Sequence, residues 1–267
     1  MKPSHSSARS LQPSEKVGGT QSMGRALAVL REFAMADARG LTIADVCRSI
    51  ELRRPTAHRI ILFLLREEML MPAAEPKRYR LGPGVFHLGL AAARHFNLRD
   101  MCAEALHRLA HNTGDSVFLT ERSANHSVVI DRREGSYPIK ALPLDIGARR
   151  PLGVGAGGLA ILQALEADAS SEIVRANAHR LRAHSDLDEG SLAGMVLEAR
   201  ARGYALDQGH AFPEVVGVGL PILTRAGVPI AALSIVSIQA RATEQRIASN
   251  IKLMREEVVR LEALLGA

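Results

Sequence analysis

TIADVCRSIELRRPTAHRIILFLLREEM, residues 42–69, reads as two short helices joined by a tight turn. Thr42 suits an N-cap, and Asp45 three residues later gives capping-box spacing. Ile43, Val46, Cys47 and Ile50 recur at i, i+3, i+4 and i+7, the apolar stripe of a first helix. Glu51-Leu52-Arg53-Arg54 breaks that stripe, and Pro55 suits the first position of a second helix, where its missing N–H costs nothing. Ala57, Ile60, Ile61, Leu64 and Leu65 form an inward face on this second helix. Arg53, Arg54, Thr56, His58 and Arg59 gather at or before its leading turn. A helix with an apolar base and guanidiniums at its leading end suits insertion into a DNA major groove. An ordinary amphipathic helix with a solvated basic end has the same pattern, and this helix alone leaves both readings open.

The flanking sequence favours the first. Met23, Ala26, Leu27, Leu30, Phe33 and Ala34 follow helical spacing over 21–36, a third helix to support the pair. After Leu70 comes MPAAEPKRYRL, with Pro72 and Pro76 near a turn and Lys77, Arg78 and Arg80 around Tyr79. Strand, turn and strand make a two-stranded wing, whose cations meet the sugar-phosphate backbone and add affinity more than sequence choice. Residues 21–83 are therefore expected to be a winged helix-turn-helix. Residues 1–20, rich in Ser, Pro and Gly, are expected to be a disordered arm. Beyond Gly82-Pro83-Gly84, the stretch 85–97 reads as a linker helix with Val85, Leu88, Gly89, Ala92 and Phe96 on one face. That face suits a rigid connector, a dimer contact or plain core packing.

Charge is divided unevenly along the chain. Residues 1–98 hold 15 Lys and Arg against 8 Asp and Glu, and residues 99–267 hold 19 against 20, so the basic excess lies in the front third. That asymmetry implies a polyanionic partner for the front and a nearly neutral remainder. Cys47 and Cys102 both sit on apolar helical stripes, suiting buried thiols in a reducing compartment. No CxxC or HExxH spacing, apolar run of 18 residues or signal-peptide core occurs, so a cytoplasmic protein without a membrane span is expected.

Residues 99–267 predict an α+β domain. A helix over 98–112 stops at Gly114, and strands follow at 116–121, 127–131 and 139–142. Helices are expected near 157–165, 170–180 and 189–202, then strands at 215–223 and 228–238 around a Gly-containing turn, and a last helix over 243–265. Such a sheet with flanking helices has the size of a small-molecule sensor. In RRPLGVGAGGLAIL, Gly153, Gly155 and Gly158 satisfy GxGxxG, but no hydrophobic strand precedes the first glycine, so a dinucleotide site is disfavoured. Glycines also free backbone N–H groups at a helix start, a seat for a small carboxylate, or they let a helix pack closely on a sheet. No GxSxG is present, and His107 and His111 lack a third partner for metal, so no catalytic residues, metal or cofactor are expected. Asp207 and Ser234, polar beside or within apolar strands, need partners that a ligand or a backbone group would supply.

SMGRALAVLREFA, GLTIADVCRSIELRRPTAHRIILFL, YRLGPGVFHLG, LRDMCAEALHRLAHNTGDSVFL, VVIDRREG, PLGVGAGGLAIL, ARGYALDQG and VGLPILTRAGVPIAALSIV occur in this order. As an ordered set they resemble the IclR-type bacterial transcriptional regulators over about residues 21–265. The resemblance implies a winged helix-turn-helix, a linker helix and a C-terminal GAF-like or PAS-like effector domain. It implies homodimers or dimers of dimers on palindromic double-stranded DNA, with no enzymatic activity. DNA reading falls to Arg54, Thr56, His58 and Arg59. An effector pocket falls to Leu142, Ala156, Gly157, Asp207, Val215, Gly217, Ser234 and Val236, with the amides of Ala156 and Gly157 holding a carboxylate. The chain departs from the family at Gly217, Leu159 and Val236, where many members have Cys, Lys and a polar residue. This less polar lining implies a larger or more apolar effector, such as an aromatic acid. Arg53-Arg54-Pro55 also replaces the more usual Pro followed by a basic residue and Ser, removing one backbone-contacting hydroxyl.

Overall fold

The computed structural model describes residues 20–36, 39–93 and 98–265, and the chain divides into two compact units, residues 1–88 and 89–267. The expected arm, apart from Thr20, and the end of the expected linker helix at 94–97 lie outside the described residues.

In the first unit α1 (Gln21–Met35), β1 (Leu41–Thr42), α2 (Ile43–Ser49), α3 (Arg54–Arg66), β2 (Leu70–Pro72) and β3 (Arg78–Leu81) follow in order, and α4 (Pro83–Ala93) continues into the second. The capping box at α2 is reciprocal: Thr42 Oγ1 accepts from the Asp45 N–H at 3.2 Å, and Asp45 Oδ2 accepts from the Thr42 N–H at 3.0 Å. Helix α3 starts one residue earlier than expected, with Arg53 as N-cap, so Pro55 still lies in the first turn, where its N–H is dispensable. Val29, Phe33, Val46, Ile61, Leu64 and Leu70 form the core, the apolar stripes of three helices closed by the first wing strand. The wing has three strands rather than two, in the antiparallel order β1-β3-β2, with Leu41 opposite Tyr79 and Thr42 opposite Arg78. A two-residue strand is too short to leave a periodic trace. Gly40 makes this closure possible, at φ +74° and so near β3 that a Cβ would lie 2.1 Å from the Tyr79 carbonyl oxygen.

The second unit is a six-stranded antiparallel sheet in the order β6-β5-β4-β9-β8-β7. Its strands are β4 (Ser116–Ser123), β5 (His126–Arg133), β6 (Arg149–Pro151), β7 (Ala205–Gln208), β8 (Val215–Leu223) and β9 (Pro229–Ile238). Helices α5 (Leu98–Thr113) and α9 (Glu244–Leu265) cover one face, packing Leu106, Leu109, Met254 and Leu261 on Val117, Leu119, Val218 and Ile235. Helices α6 (Gly155–Gln163), α7 (Ala167–Leu181) and α8 (Glu189–Arg202) lie on the other, around Leu162, Val174 and Leu192. The period-two pleat sorts these faces, so Phe118, Ser234 and Val236 point away from the α5/α9 core. A half-buried ion pair also joins α5 to α9, with Arg108 Nη2 donating to the buried Glu257 Oε2 at 2.8 Å.

Two expectations are corrected here. The strand expected over 139–142 does not form, because Pro138 and Pro143 flank it and neither can donate to a ladder. Residues 149–151, where no strand was expected, form edge strand β6 by pairing with β5, an arrangement that tolerates Pro151.

Candidate functional site

Two surfaces carry the chemistry, one in each unit. On the first, Ala57, Ile61 and Leu64 turn into the core, while Arg53, Arg54, His58 and Arg59 stay exposed and Thr56 is half-buried. Among the described residues, Arg53, Arg54 and Arg59 form no ion pair, so their charge is available to a partner. The wing divides its cations differently. Lys77 and Arg80 are exposed and, among the described residues, form no ion pair, whereas Arg78 is turned inward. Its Nη1 donates to the Gly40 carbonyl at 2.7 Å, its Nε pairs with Glu75 at 2.9 Å, and Asp45 lies 4.0 Å away. Of the three wing cations expected to face DNA, Arg78 is turned inward and ties β3 to the segment entering α2. Hydrogen bonds from the Thr42 backbone and side chain, with Arg48 and Arg78 nearby, hold the Asp45 carboxyl below its usual value.

On the second unit a cavity opens between the sheet and the first turn of α6. Counted out to its open mouth, and so including space open to solvent, it spans about 560 Å³. Ala156, Gly157, Asp207, Val215, Gly217, Ser234 and Val236 line it together, although they come from three strands and a helix spread over 81 positions in sequence. Leu142 does not line it. This residue faces outward, 37% exposed, while the next two, Pro143 and Leu144, turn into the wall. Without a strand over 139–142, alternation does not set which side chains face in.

Helix α6 approaches the sheet closely because the sheet lacks side chains beneath it. A Cβ on Gly219 would lie 2.4 Å from the Ala156 carbonyl oxygen, and one on Gly157 would lie 2.6 Å from Thr120 Oγ1. The N-cap residue of α6, Val154, offers no side-chain acceptor, so the first-turn amides are left for a ligand or solvent. All neighbouring strands run antiparallel, so the βαβ setting of a dinucleotide fingerprint is absent around the GxGxxG. Asp207, on edge strand β7 and paired with Gly217, is a buried part of the cavity wall. Burial pushes its carboxyl above the usual value, partly offset by N–H groups of His210, at 3.0 Å, and Ala211.

Sequence reasoning missed Phe118, Thr120, Ser127, Phe212 and Arg150, all in the wall. The pleat places Thr120 and Ser127, but only after the strand pairing is known. Arg150 gave no signal beyond a charge beside a glycine run. Among the described residues, no group of three His, Cys, Asp or Glu side chains is placed to hold a metal ion, and no helix is long and apolar enough to cross a membrane.

A basic winged helix-turn-helix joined in one chain to a cavity-bearing sheet domain is the plan of a ligand-responsive transcriptional regulator. The family model described as Bacterial transcriptional regulator IclR C-terminal matches residues 90–261, and the IclR helix-turn-helix domain matches residues 22–71. The chain belongs to the IclR family: it is a DNA-binding transcriptional regulator with a C-terminal effector domain. It is 25% identical over 249 residues to the HTH-type transcriptional repressor AllR of Salmonella paratyphi A, spanning 93% of this chain and 91% of that one. Its fold matches an IclR transcriptional regulator from Alicyclobacillus acidocaldarius with TM-score 0.74 at 22% identity, covering 92% and 98% of the two chains. An IclR homologue from Microbacterium hydrocarbonoxydans, solved in complex with 4-hydroxybenzoate, matches with TM-score 0.69 at 23% identity over 92% and 99%.

Proposed function

We propose that the protein binds a palindromic operator as a homodimer or dimer of dimers and that a small organic acid, of aromatic type, controls this binding. Arg53, Arg54, Thr56, His58 and Arg59 read and grip the major groove, and Lys77 and Arg80 hold phosphates beside it. The effector sits in the cavity with its carboxylate at the amides of Ala156 and Gly157 and its body against Val215, Gly217 and Val236. Asp207 and Ser234 take its polar substituents. Effector binding shifts the population between DNA-competent and DNA-incompetent arrangements, and no catalytic step is involved.

The observation that carries this reading is the cavity at the uncapped start of α6. Apolar walls at Phe118, Val129 and Val236 support an aromatic body, and the 4-hydroxybenzoate bound by the Microbacterium protein has the same chemistry. The test is a thermal-shift screen of aliphatic and aromatic carboxylates, followed by operator binding with and without each hit. A ligand at 100 times its Kd stabilises by about 2.7 kcal/mol, a shift of several degrees. If no carboxylate raises the melting temperature or changes operator affinity, the reading fails, and turnover of an acid without any effect on DNA would favour an enzyme instead.

A further inference from the structure

We infer that Arg150 supplies the charged half of the anion seat in the cavity, its Nε–Nη2 edge taking the ligand carboxylate side-on through two parallel N–H···O bonds. This rests on the cavity being the site of a small acid and names the residue that selects acids over their neutral analogues.

Arg150 lies on β6 directly opposite Ser127 of β5, and side chains so paired share a face of the sheet. Ser127 reaches α6: its Oγ is 3.1 Å from where a Cβ on Gly158 would stand. The guanidinium therefore shares the cavity wall with the first turn of α6, and both attract an anion. Nη1 donates to the Arg149 carbonyl at 3.1 Å. Nε is buried and has no partner, and among the described residues no carboxylate pairs with this side chain. A buried donor on a charged group is costly to leave unmade, and folding gains nothing visible from leaving it so. Among the described residues, the Nε and Nη2 edge is left without a protein partner, two parallel donors in a rigid plane that match the two oxygens of a carboxylate. Burial holds the Arg150 guanidinium below its usual value, as expected for a cation without a counter-ion. His184 supplies no negative charge nearby and is itself held low by burial and by Arg150 and Arg180.

The test titrates full-length protein with benzoate, 4-hydroxybenzoate, phenylacetate and pyruvate, each beside its primary amide, in the wild type, Arg150→Met and Arg150→Lys. An acid that binds the wild type is expected to weaken about 10- to 100-fold in Arg150→Met. Arg150→Lys restores only part of this, because a single ammonium cannot form the paired bonds, and amide binding stays the same in all three. Circular dichroism checks that each variant is folded. In the wild type, the Nε–H resonance of Arg150 is expected to shift and its solvent exchange to slow as acid is added, a readout that needs no variant. Equal acid affinity in the wild type and Arg150→Met, or an unmoved resonance on saturation, overturns the role of Arg150 and leaves the cavity reading standing. Absence of any acid binding to the wild type overturns both.

Discussion

Replacing Arg78 with alanine should destabilise the winged unit without removing a phosphate contact, the opposite of what its place among Lys77 and Arg80 implies. Its side chain is 28% exposed and spends its donors inside the protein. The bond to the Gly40 carbonyl at 2.7 Å is charge-assisted and partly buried, worth about 1.5–3 kcal/mol. The Glu75 partner is 52% exposed, so that pair adds at most about 1 kcal/mol. Asp45 at 4.0 Å adds little. The expected loss is about 2–3 kcal/mol, a fall of roughly 2–3 M in urea midpoint for a small unit whose m-value is near 1 kcal/mol/M. Urea unfolding followed by circular dichroism measures this, and hydrogen exchange at residues 40–42 and 78–81 assigns it to the wing. Operator affinity measured against salt, where the variant remains folded, should keep its slope. Lys77→Ala should do the reverse, sparing the midpoint and flattening the slope by about 0.9 for each protomer on DNA. An Arg78→Ala protein with an unchanged midpoint and a flattened slope would refute the assignment.

Further outcomes follow from the same geometry. Arg59→Ala should lose about 1–3 kcal/mol of discrimination between the operator and its point variants, measured by competition binding; unchanged selectivity would remove α3 from base reading. Gly219→Ala should drive α6 off the sheet at a cost of about 1–3 kcal/mol, since its Cβ would meet backbone at 2.4 Å. Gly24→Ala, in α1 with nothing within 4 Å, should gain about 0.5–1 kcal/mol; thermal melting compares the two. Asp207 is pushed above its usual value by burial, so the folded state keeps this proton where the unfolded chain has lost it, and ionising it costs stability as pH rises past 3.8. Asp207→Asn should therefore unfold at higher urea at pH 7, with the gain vanishing as pH falls below 3.8. The Cys102 thiol is pushed up to about 12, chiefly by burial, so thiol titration of native protein should leave it unmodified until denaturant is added.

Local chemistry made the first unit legible. The Thr42 and Asp45 box, the stripe through Val46, the proline in the first turn of α3 and the cluster of cations at its start act over three or four residues, and each is visible without a partner. Strands β8 and β9 were legible for a similar reason, since both are long runs of apolar residues around a Gly-containing turn. The ordered motifs of the IclR family added the cavity, and seven of its eight expected residues do meet in one wall. Tertiary pairing decided the rest. Arg78 is a brace because Gly40, 38 residues earlier, turns its carbonyl toward it. Leu142 faces out and Pro143 and Leu144 face in because that segment makes no ladder to enforce alternation. Arg150 enters the cavity because a three-residue edge strand pairs with β5. Helix spacing is written in neighbouring residues, whereas the direction of a lone cation depends on groups distant in sequence that only folding brings near.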